Sequence, residues 1–282
     1  MAQNVLFIMS DEHQQKAAGC YGHPFVRTPA IDALAAGGTR FTNAYTNSPI
    51  CVPARASFAT GRAVHEIGNW DNAHPYDGRI KGWGHTLQQR GMKSLSIGKL
   101  HYRNETDPTG FDEQIVPLHV VDGVGSVSAS VKQPLGPPIK TSKLAANIGP
   151  GDSGYIRYDR SITEETCRWL KEEAPKHRDR PWVLFCSLVC PHFPLIAPPD
   201  FYAMYPHDML ETPKGSSLDY ELHPWIEKFR QVQCHDEFFT DETRKIAIAS
   251  YYALCSFMDS NVQKVLAALD ASGARDDTLV VY

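Results

Sequence analysis

The 282-residue chain is long enough to bury a sizeable core, in one large α/β domain or two small ones. Hydrophobic residues make up 42% of it and charged residues 21%, a composition that excludes an intrinsically disordered chain. The 28 basic and 32 acidic residues are interspersed, and no apolar run reaches membrane-spanning length. The sequence therefore predicts neither a nucleic-acid-binding protein nor a membrane protein.

The cysteines and the N-terminal residues predict a cytoplasmic protein. Seven cysteines at irregular spacings favour free thiols over a disulfide framework in a chain of this size. Residues 1–4 lead directly into a short apolar stretch, without the basic flank and long hydrophobic segment of a secretory signal.

Four short apolar runs predict strands that are buried on both faces, as in a parallel sheet. These runs are Val5 to Met9, Ser94 to Ile97, Val183 to Val189, and Leu279 to Tyr282. Helical patterns alternate with them. The helices are predicted over Pro29 to Ala36, Thr86 to Arg90, Tyr158 to Ala174, and Asp241 to Ala271. The predicted fold class is α/β, with a mostly parallel central sheet flanked by helices on both faces.

Two long segments, 119–154 and 191–229, show no sustained periodicity and are rich in turn-forming or aromatic residues. We expect segment 119–154 to be a long insertion within one domain, and not a linker between domains. This insertion is expected to cover the active site.

Polar side chains follow three of the predicted strands. Asp11 and Glu12 follow the first strand, Lys99 and His101 follow the second, and His192 follows the third. The carboxyl ends of strands in an open α/β sheet meet at one crevice, so these groups are expected to converge. Carboxylates suit Ca²⁺, Mg²⁺ or Mn²⁺, whereas the lysine and histidines suit an anionic substrate. Each group alone is more typical of a solvated loop, and it is their coincidence that favours a functional site.

A fourth element surrounds Cys51. Pro53 is typical of the first turn of a helix, which places Cys51 just outside the helix N-terminus. Free backbone N–H groups and the helix dipole would stabilise an anion there. Arg55, one turn on, would add a bidentate contact to a tetrahedral oxyanion. The alternative is a buried free cysteine at the start of a helix.

The pattern Cys51-x-Pro53-x-Arg55, with Thr-Gly-Arg at 60–62, resembles the signature of the sulfatase family, in which the cysteine is oxidised to formylglycine. Segments 4–11, 98–101, 191–194 and 251–269 resemble sulfatases in order and spacing, so the resemblance covers the chain except for 119–154. The sequence Asp-Asn-Ala at 71–73 looks most like the choline sulfatase and phosphonate monoester hydrolase branch.

The resemblance implies an alkaline-phosphatase-like fold and the hydrolysis of sulfuric esters. Asp11 and Glu12 would bind a divalent metal ion, Ca²⁺ foremost with Mn²⁺ or Mg²⁺ as alternatives, and the ion would also contact the modified Cys51. The hydrated aldehyde of residue 51 would be the nucleophile, and Arg55 would orient it.

The resemblance to sulfatases also implies roles for four further residues. Lys99 and His101 would stabilise the nucleophile and the intermediate, and His192 would protonate the leaving alkoxide. Asn72 would hydrogen-bond a non-bridging oxygen of the substrate. The implied partners are a small anionic sulfate ester and either a formylglycine-generating enzyme or an anaerobic sulfatase-maturing enzyme. A homo-oligomer stays possible.

Three positions depart from the family pattern. Glu12 stands where many sulfatases have Asp, and Ala54 stands where Ser is frequent. The sequence also ends at Tyr282, where the family continues into a second Asp followed by His or Asn that completes the metal site. We therefore expect residues 1–282 to be an N-terminal sulfatase catalytic domain that lacks the small C-terminal domain.

The sequence is compatible with three functions. The first is a sulfate ester hydrolase, and the second is a phosphonate monoester or phosphodiester hydrolase with the same nucleophile and metal. Both substrates are tetrahedral anions, so the site residues do not separate them. The third is a truncated, non-catalytic sulfatase-like domain that binds an anion or a partner without turnover.

Overall fold

The computed structural model describes residues 4–127, 134–136, 141–211, 213 and 221–282. Seven strands lie within these ranges. They are β1 (Asn4–Met9), β2 (Lys93–Lys99), β3 (Glu113–Leu118), β4 (Ile148–Pro150), β5 (Trp182–Ser187), β6 (Leu195–Ala197) and β7 (Thr278–Val281). A five-stranded sheet has the order β3-β2-β5-β1-β7, and every pairing in it is parallel. The short strands β4 and β6 form a separate parallel pair.

The four predicted strands are confirmed as β1, β2, β5 and β7, with ends that shift by at most two residues. The sequence analysis missed β3. It lies at the edge of the sheet and is only half-buried, and it contains a proline, Pro117, which cannot donate to a ladder. An edge strand with polar residues and a proline lacks the continuous apolar run that marked the others.

The described helices cover both faces of the sheet. They are α1 (Pro29–Ala36), α2 (Cys51–Thr60), α3 (Val64–Ile67), α4 (Trp83–Gln89), α5 (Ser142–Ala146), α6 (Gly154–Glu172), α7 (Pro199–Tyr202), α8 (Pro224–Gln233), α9 (His235–Phe238) and α10 (Asp241–Ala271). The predicted bounds of α1 and α10 are confirmed. Helix α6 begins earlier than predicted, because the Ser153 hydroxyl caps it by accepting the N–H of Ile156 at 3.2 Å. No helix in the described ranges has both the length and the apolarity needed to cross a membrane.

Strand β1 sends alternate side chains into two cores. Leu6 and Ile8 join the larger core, to which α1, α6 and α10 contribute. Phe7 and Met9 point to the opposite face and pack against a smaller core that includes Phe185 and residues of α2. The predicted α/β class with helices on both faces is confirmed.

Part of segment 119–154 packs beside a residue expected to bind substrate. Gly125 has a φ of +69°, and a Cβ added to it would come within 1.8 Å of the carbonyl oxygen of Asn72. This close approach requires glycine and places the start of the segment against the Asn72 loop. Residues 128–133 and 137–140 lie outside the described residues, so the expectation that the whole segment covers the site stays a prediction.

Candidate active site

Asp11, Arg55 and Lys99 form a buried cluster at the carboxyl ends of the strands. Nζ of Lys99 lies 2.5 Å from Oδ2 of Asp11, and Nη2 of Arg55 donates to the same oxygen at 3.1 Å. Nη1 of Arg55 donates to the carbonyl oxygen of Lys99 at 2.6 Å and to the hydroxyl of Ser187 at 3.0 Å. The cluster therefore ties the ends of β1, β2 and β5 to helix α2, and the predicted convergence of these residues is observed.

The charge of this cluster is not balanced. Burial would raise the pKa of Asp11, but the charges of Arg55 and Lys99 outweigh it and lower this pKa to about 2. Among these three side chains one carboxylate faces two cations, which leaves one positive charge in excess within the cluster, and Lys99 is only 2% exposed. A buried excess of positive charge favours an anionic ligand.

Cys51 is the first residue of α2, and the sequence-based placement just outside the helix was wrong. Ile50 precedes the helix, and Pro53 occupies its third position. The N–H groups of the first turn have no intrahelical acceptor, so proline fits there as well as at the first position. The N–H of Val52 donates to Oδ1 of Asn72 at 3.1 Å, which places Asn72 beside this helix N-terminus. The amide nitrogen of Asn72 makes no hydrogen bond within the described ranges.

The charges of the cluster act on the side chain of Cys51. Burial raises the pKa of the Cys51 thiol, Lys99 and Arg55 act to lower it, and Asp11 acts to raise it. All three charged groups are thus close enough to act on residue 51. With its pKa raised, an unmodified thiol stays protonated at neutral pH and is a weak nucleophile.

Glu12 and His192 lie on the same side of the site. Nε2 of His192 is 3.3 Å from Oε1 of Glu12, and its Nδ1 is 2.7 Å from the carbonyl oxygen of Phe193. A ring nitrogen that faces a carbonyl must carry a proton, so Nδ1 is the donor and Nε2 faces the site. Burial raises the pKa of Glu12, while the charge of His192 acts against this rise.

Asp159 holds the turn that leads to His192. Its buried carboxylate, on α6, accepts the N–H groups of Val189 at 2.7 Å and Cys190 at 2.8 Å. Sequence reasoning missed this residue because a single Asp within a helix gives no local signal of the turn that it contacts.

Replacing Asp159 with alanine is expected to lower the free energy of unfolding by about 2 to 4 kcal/mol, because two buried N–H groups lose their acceptor. Urea unfolding at pH 7 measures the change. Asp179→Asn, at an exposed position, is the control and should change stability by less than about 0.5 kcal/mol. Equal stability of the two variants would contradict the role of Asp159.

His101 lies beside the cluster as an uncharged ring. Burial lowers the pKa of His101 to about 3, and the charges of Lys99 and Arg55 add to this effect. Its Nδ1 is buried and has no hydrogen-bond partner among the described residues. The predicted location of His101 near Lys99 is observed, and the ring offers a ligand a hydrogen bond without a charge.

The lowered pKa of His101 makes stability depend on pH. Between pH 6.5 and 3 the unfolded chain binds a proton that the folded chain excludes, so this contribution to stability is lost as the pH falls. His101→Gln removes the effect. Between pH 6.5 and pH 5, the free energy of unfolding of wild type is expected to fall by about 2 kcal/mol more than that of this variant. Urea unfolding in the presence of a chelator measures the difference. His65→Gln, at an exposed position, should follow wild type, and parallel curves for all three proteins would contradict the assignment.

The residues at this site fit part of a hard-cation site. Oδ1 of Asp11 makes no hydrogen bond within the described ranges, and 41% of the Glu12 side chain is exposed. Carboxylate oxygens are therefore left for Ca²⁺, Mg²⁺ or Mn²⁺. No group of three or more His, Cys, Asp or Glu side chains in the described part of the chain is placed to hold a metal ion. Asp11 and Glu12 alone would supply about half of the ligands that such an ion takes.

Comparison with known proteins identifies the family. The model of the family described as Sulfatase matches residues 3–282. The chain belongs to the sulfatase family. This confirms the resemblance inferred from the residues around Cys51.

Individual members of the sulfatase family are similar over nearly the whole chain. Arylsulfatase K of Bos taurus is 27% identical over 297 residues, which cover 100% of this chain and 52% of the relative. Choline-sulfatase of Rhizobium meliloti (strain 1021) is 27% identical over 289 residues, which cover 99% of this chain and 56% of the relative. The chain thus spans about half the length of the curated relatives that it matches.

A solved structure supports the same fold. The phosphonate monoester hydrolase of Agrobacterium radiobacter superposes with a TM-score of 0.74 at 21% identity, covering 99% of this chain and 61% of that chain. The predicted alkaline-phosphatase-like fold is confirmed, and the proteins similar to this chain include a choline-sulfatase and a phosphonate monoester hydrolase, the two activities that name the expected branch.

Proposed function

We propose that this sulfatase-family chain hydrolyses sulfuric esters, with residue 51 as the nucleophile in its formylglycine form. The observation that carries the proposal is the buried cluster of Asp11, Arg55 and Lys99 beside Cys51, with one positive charge in excess. A sulfate ester is a small tetrahedral anion and complements that charge.

The form of residue 51 matters because its thiol is a weak nucleophile in this environment. The hydrated aldehyde supplies an oxygen nucleophile in its place. A formylglycine-generating enzyme or an anaerobic sulfatase-maturing enzyme would make the conversion, so one of these is a required partner. We predict that the protein resides in the cytoplasm.

The residues around position 51 bind and orient the ester. Arg55 and Lys99 stabilise the negative charge of the sulfuryl oxygens, and the charge that develops as the ester bond breaks falls on the leaving oxygen. The free amide nitrogen of Asn72 donates to a non-bridging oxygen. His101 accepts or donates one hydrogen bond as a neutral ring.

His192 protonates the leaving alkoxide. The carbonyl oxygen of Phe193 holds the proton on Nδ1, so His192 acts as the acid in its doubly protonated form. The proton on Nε2, which faces Glu12, passes to the leaving oxygen and leaves the neutral Nδ1–H ring. Asp11 and Glu12 would hold a divalent ion, with Ca²⁺ preferred over Mn²⁺ or Mg²⁺, and the ion would supply positive charge as a Lewis acid.

The test uses this chain co-expressed with a sulfatase-maturing enzyme. Peptide mass spectrometry measures the conversion of Cys51, metal analysis measures bound calcium, and release of the phenol from an aryl sulfate measures turnover. The same chain made without the maturing enzyme is the control. We expect turnover in proportion to conversion. Complete conversion with bound metal and no turnover would support the non-catalytic alternative, which the lack of a third metal-ligating side chain among the described residues favours.

The second candidate function is hydrolysis of phosphonate monoesters. It is supported by the similarity of the fold to a phosphonate monoester hydrolase and by the tetrahedral geometry shared by both anions. Sulfate and phosphonate aryl esters with the same leaving group, assayed in parallel on the converted chain, separate the two. A strong preference for the phosphonate in kcat/KM would replace the first proposal with the second.

A further inference from the structure

Tyr251, on α10, contacts the loop that carries the two acidic residues. We call residues 10–14 the acidic loop. The hydroxyl of Tyr251 donates to the carbonyl oxygen of Glu12 at 2.7 Å and accepts the N–H of Gln14 at 2.8 Å. One side chain, distant in sequence, thus satisfies both a donor and an acceptor of this loop.

The acidic loop has a conformation that needs support. Glu12 has a φ of +62°, in the left-handed region that residues other than glycine rarely adopt. Such a conformation persists only where the surrounding structure holds it. The two hydrogen bonds of Tyr251 lie on Glu12 itself and on Gln14, so they act directly on the unfavourable backbone angles.

The conformation at Glu12 determines where the two carboxylates point. Asp11 reaches Lys99 and Arg55, while the next side chain, that of Glu12, reaches Nε2 of His192 at 3.3 Å. A relaxed backbone at Glu12 would rotate its carboxylate away from His192.

A second tyrosine holds the other part of the loop. The hydroxyl of Tyr282 lies 2.7 Å from Oγ of Ser10 and 2.6 Å from Nδ1 of His13. Nε2 of His13 faces the carbonyl oxygen of Ala17 at 3.1 Å and must carry the ring proton. Nδ1 of His13 therefore accepts from Tyr282, which in turn accepts from Ser10. The loop is thus held from α10 and from the end of β7.

We infer that Tyr251 is a positioning residue: its hydroxyl fixes the acidic loop so that Glu12 faces His192 and lies next to Asp11. The effect on turnover rests on the proposed function, whereas the effect on the loop does not.

Tyr251→Phe tests the inference, with Tyr252→Phe as the matched control. The adjacent Tyr252 packs edge to face against His23, and its hydroxyl makes no hydrogen bond within the described residues. Hydrogen exchange followed by mass spectrometry measures the protection of the acidic loop. We expect exchange at Gln14 to rise about tenfold in Tyr251→Phe and to stay unchanged in Tyr252→Phe. Equal exchange in both variants would overturn the inference, whether or not the chain has activity.

Turnover tests whether the position of the acidic loop affects catalysis. In the converted chain, Tyr251→Phe is expected to lower kcat about tenfold with little change in KM, because the hydroxyl acts through the position of Glu12 and not through substrate binding. In a Glu12→Gln background the same substitution should have no further effect on kcat. Equal losses in both backgrounds would show a general structural role and would overturn the inference. If the parent chain has no turnover, the proposed function fails and the exchange measurement alone decides the role of Tyr251.

Discussion

Replacing Cys51 with alanine is expected to abolish hydrolysis of an aryl sulfate by the converted chain, a loss of at least ~10⁴-fold in kcat. Alanine keeps the start of α2 helical but removes the atom from which the nucleophile is made. Steady-state release of the phenol measures the change, and thermal unfolding shows that the fold is retained.

Cys167→Ala is the control for this substitution. Cys167 is a half-buried cysteine on α6, outside the charged cluster, and alanine favours the helix. This variant should keep the turnover of the parent chain. Retention of turnover by Cys51→Ala would assign the nucleophile to another residue.

Replacing Lys99 with methionine is expected to lower both stability and activity. Methionine preserves most of the buried volume, but Asp11 loses the nearer of its two cationic partners, and its pKa rises as a result. Breaking a buried pair in this way costs about 3 kcal/mol in the free energy of unfolding. Loss of one positive group at the site should lower kcat by ~10²–10³-fold.

Lys93→Met provides a comparison on the same strand. Lys93 pairs with Glu113 at 3.5 Å, and 46% of the Glu113 side chain is exposed. Breaking this pair should cost less than about 1 kcal/mol and leave kcat unchanged. Urea unfolding and steady-state kinetics of the two variants distinguish an effect on the active site from an effect on the stability of β2. Equal effects would mean that Lys99 acts only through the stability of β2.

The sequence predicted the parts of the fold that have a local physical cause. Strands β1, β2, β5 and β7 are apolar because the sheet is covered on both faces, and such runs are visible without coordinates. Asp11, Lys99 and His192 were predicted together because parallel strands end at the same edge of a sheet. The edge strand β3 has no continuous apolar run, and for this reason it was not predicted.

The contacts that hold the site in place could not be predicted. Asp159, Ser187 and Tyr251 act through residues far away in the chain, and nothing near them in sequence indicates their partners. The neutral state of His101 was also not foreseen, because it follows from burial and from the charges of Lys99 and Arg55. The first residue of α2 was misplaced because proline is tolerated at several positions of a first turn.

The alternation of side chains along β1 links the packing of the protein to its chemistry. Leu6 and Ile8 point to one face and Phe7 to the other, and Asp11 follows two residues after the strand. Adding or deleting one residue within β1 would exchange the two faces and move Asp11 by about 3.3 Å along the strand axis. Natural variation in this strand should therefore consist of replacements of similar size, and changes in length should be confined to connections remote from this edge of the sheet.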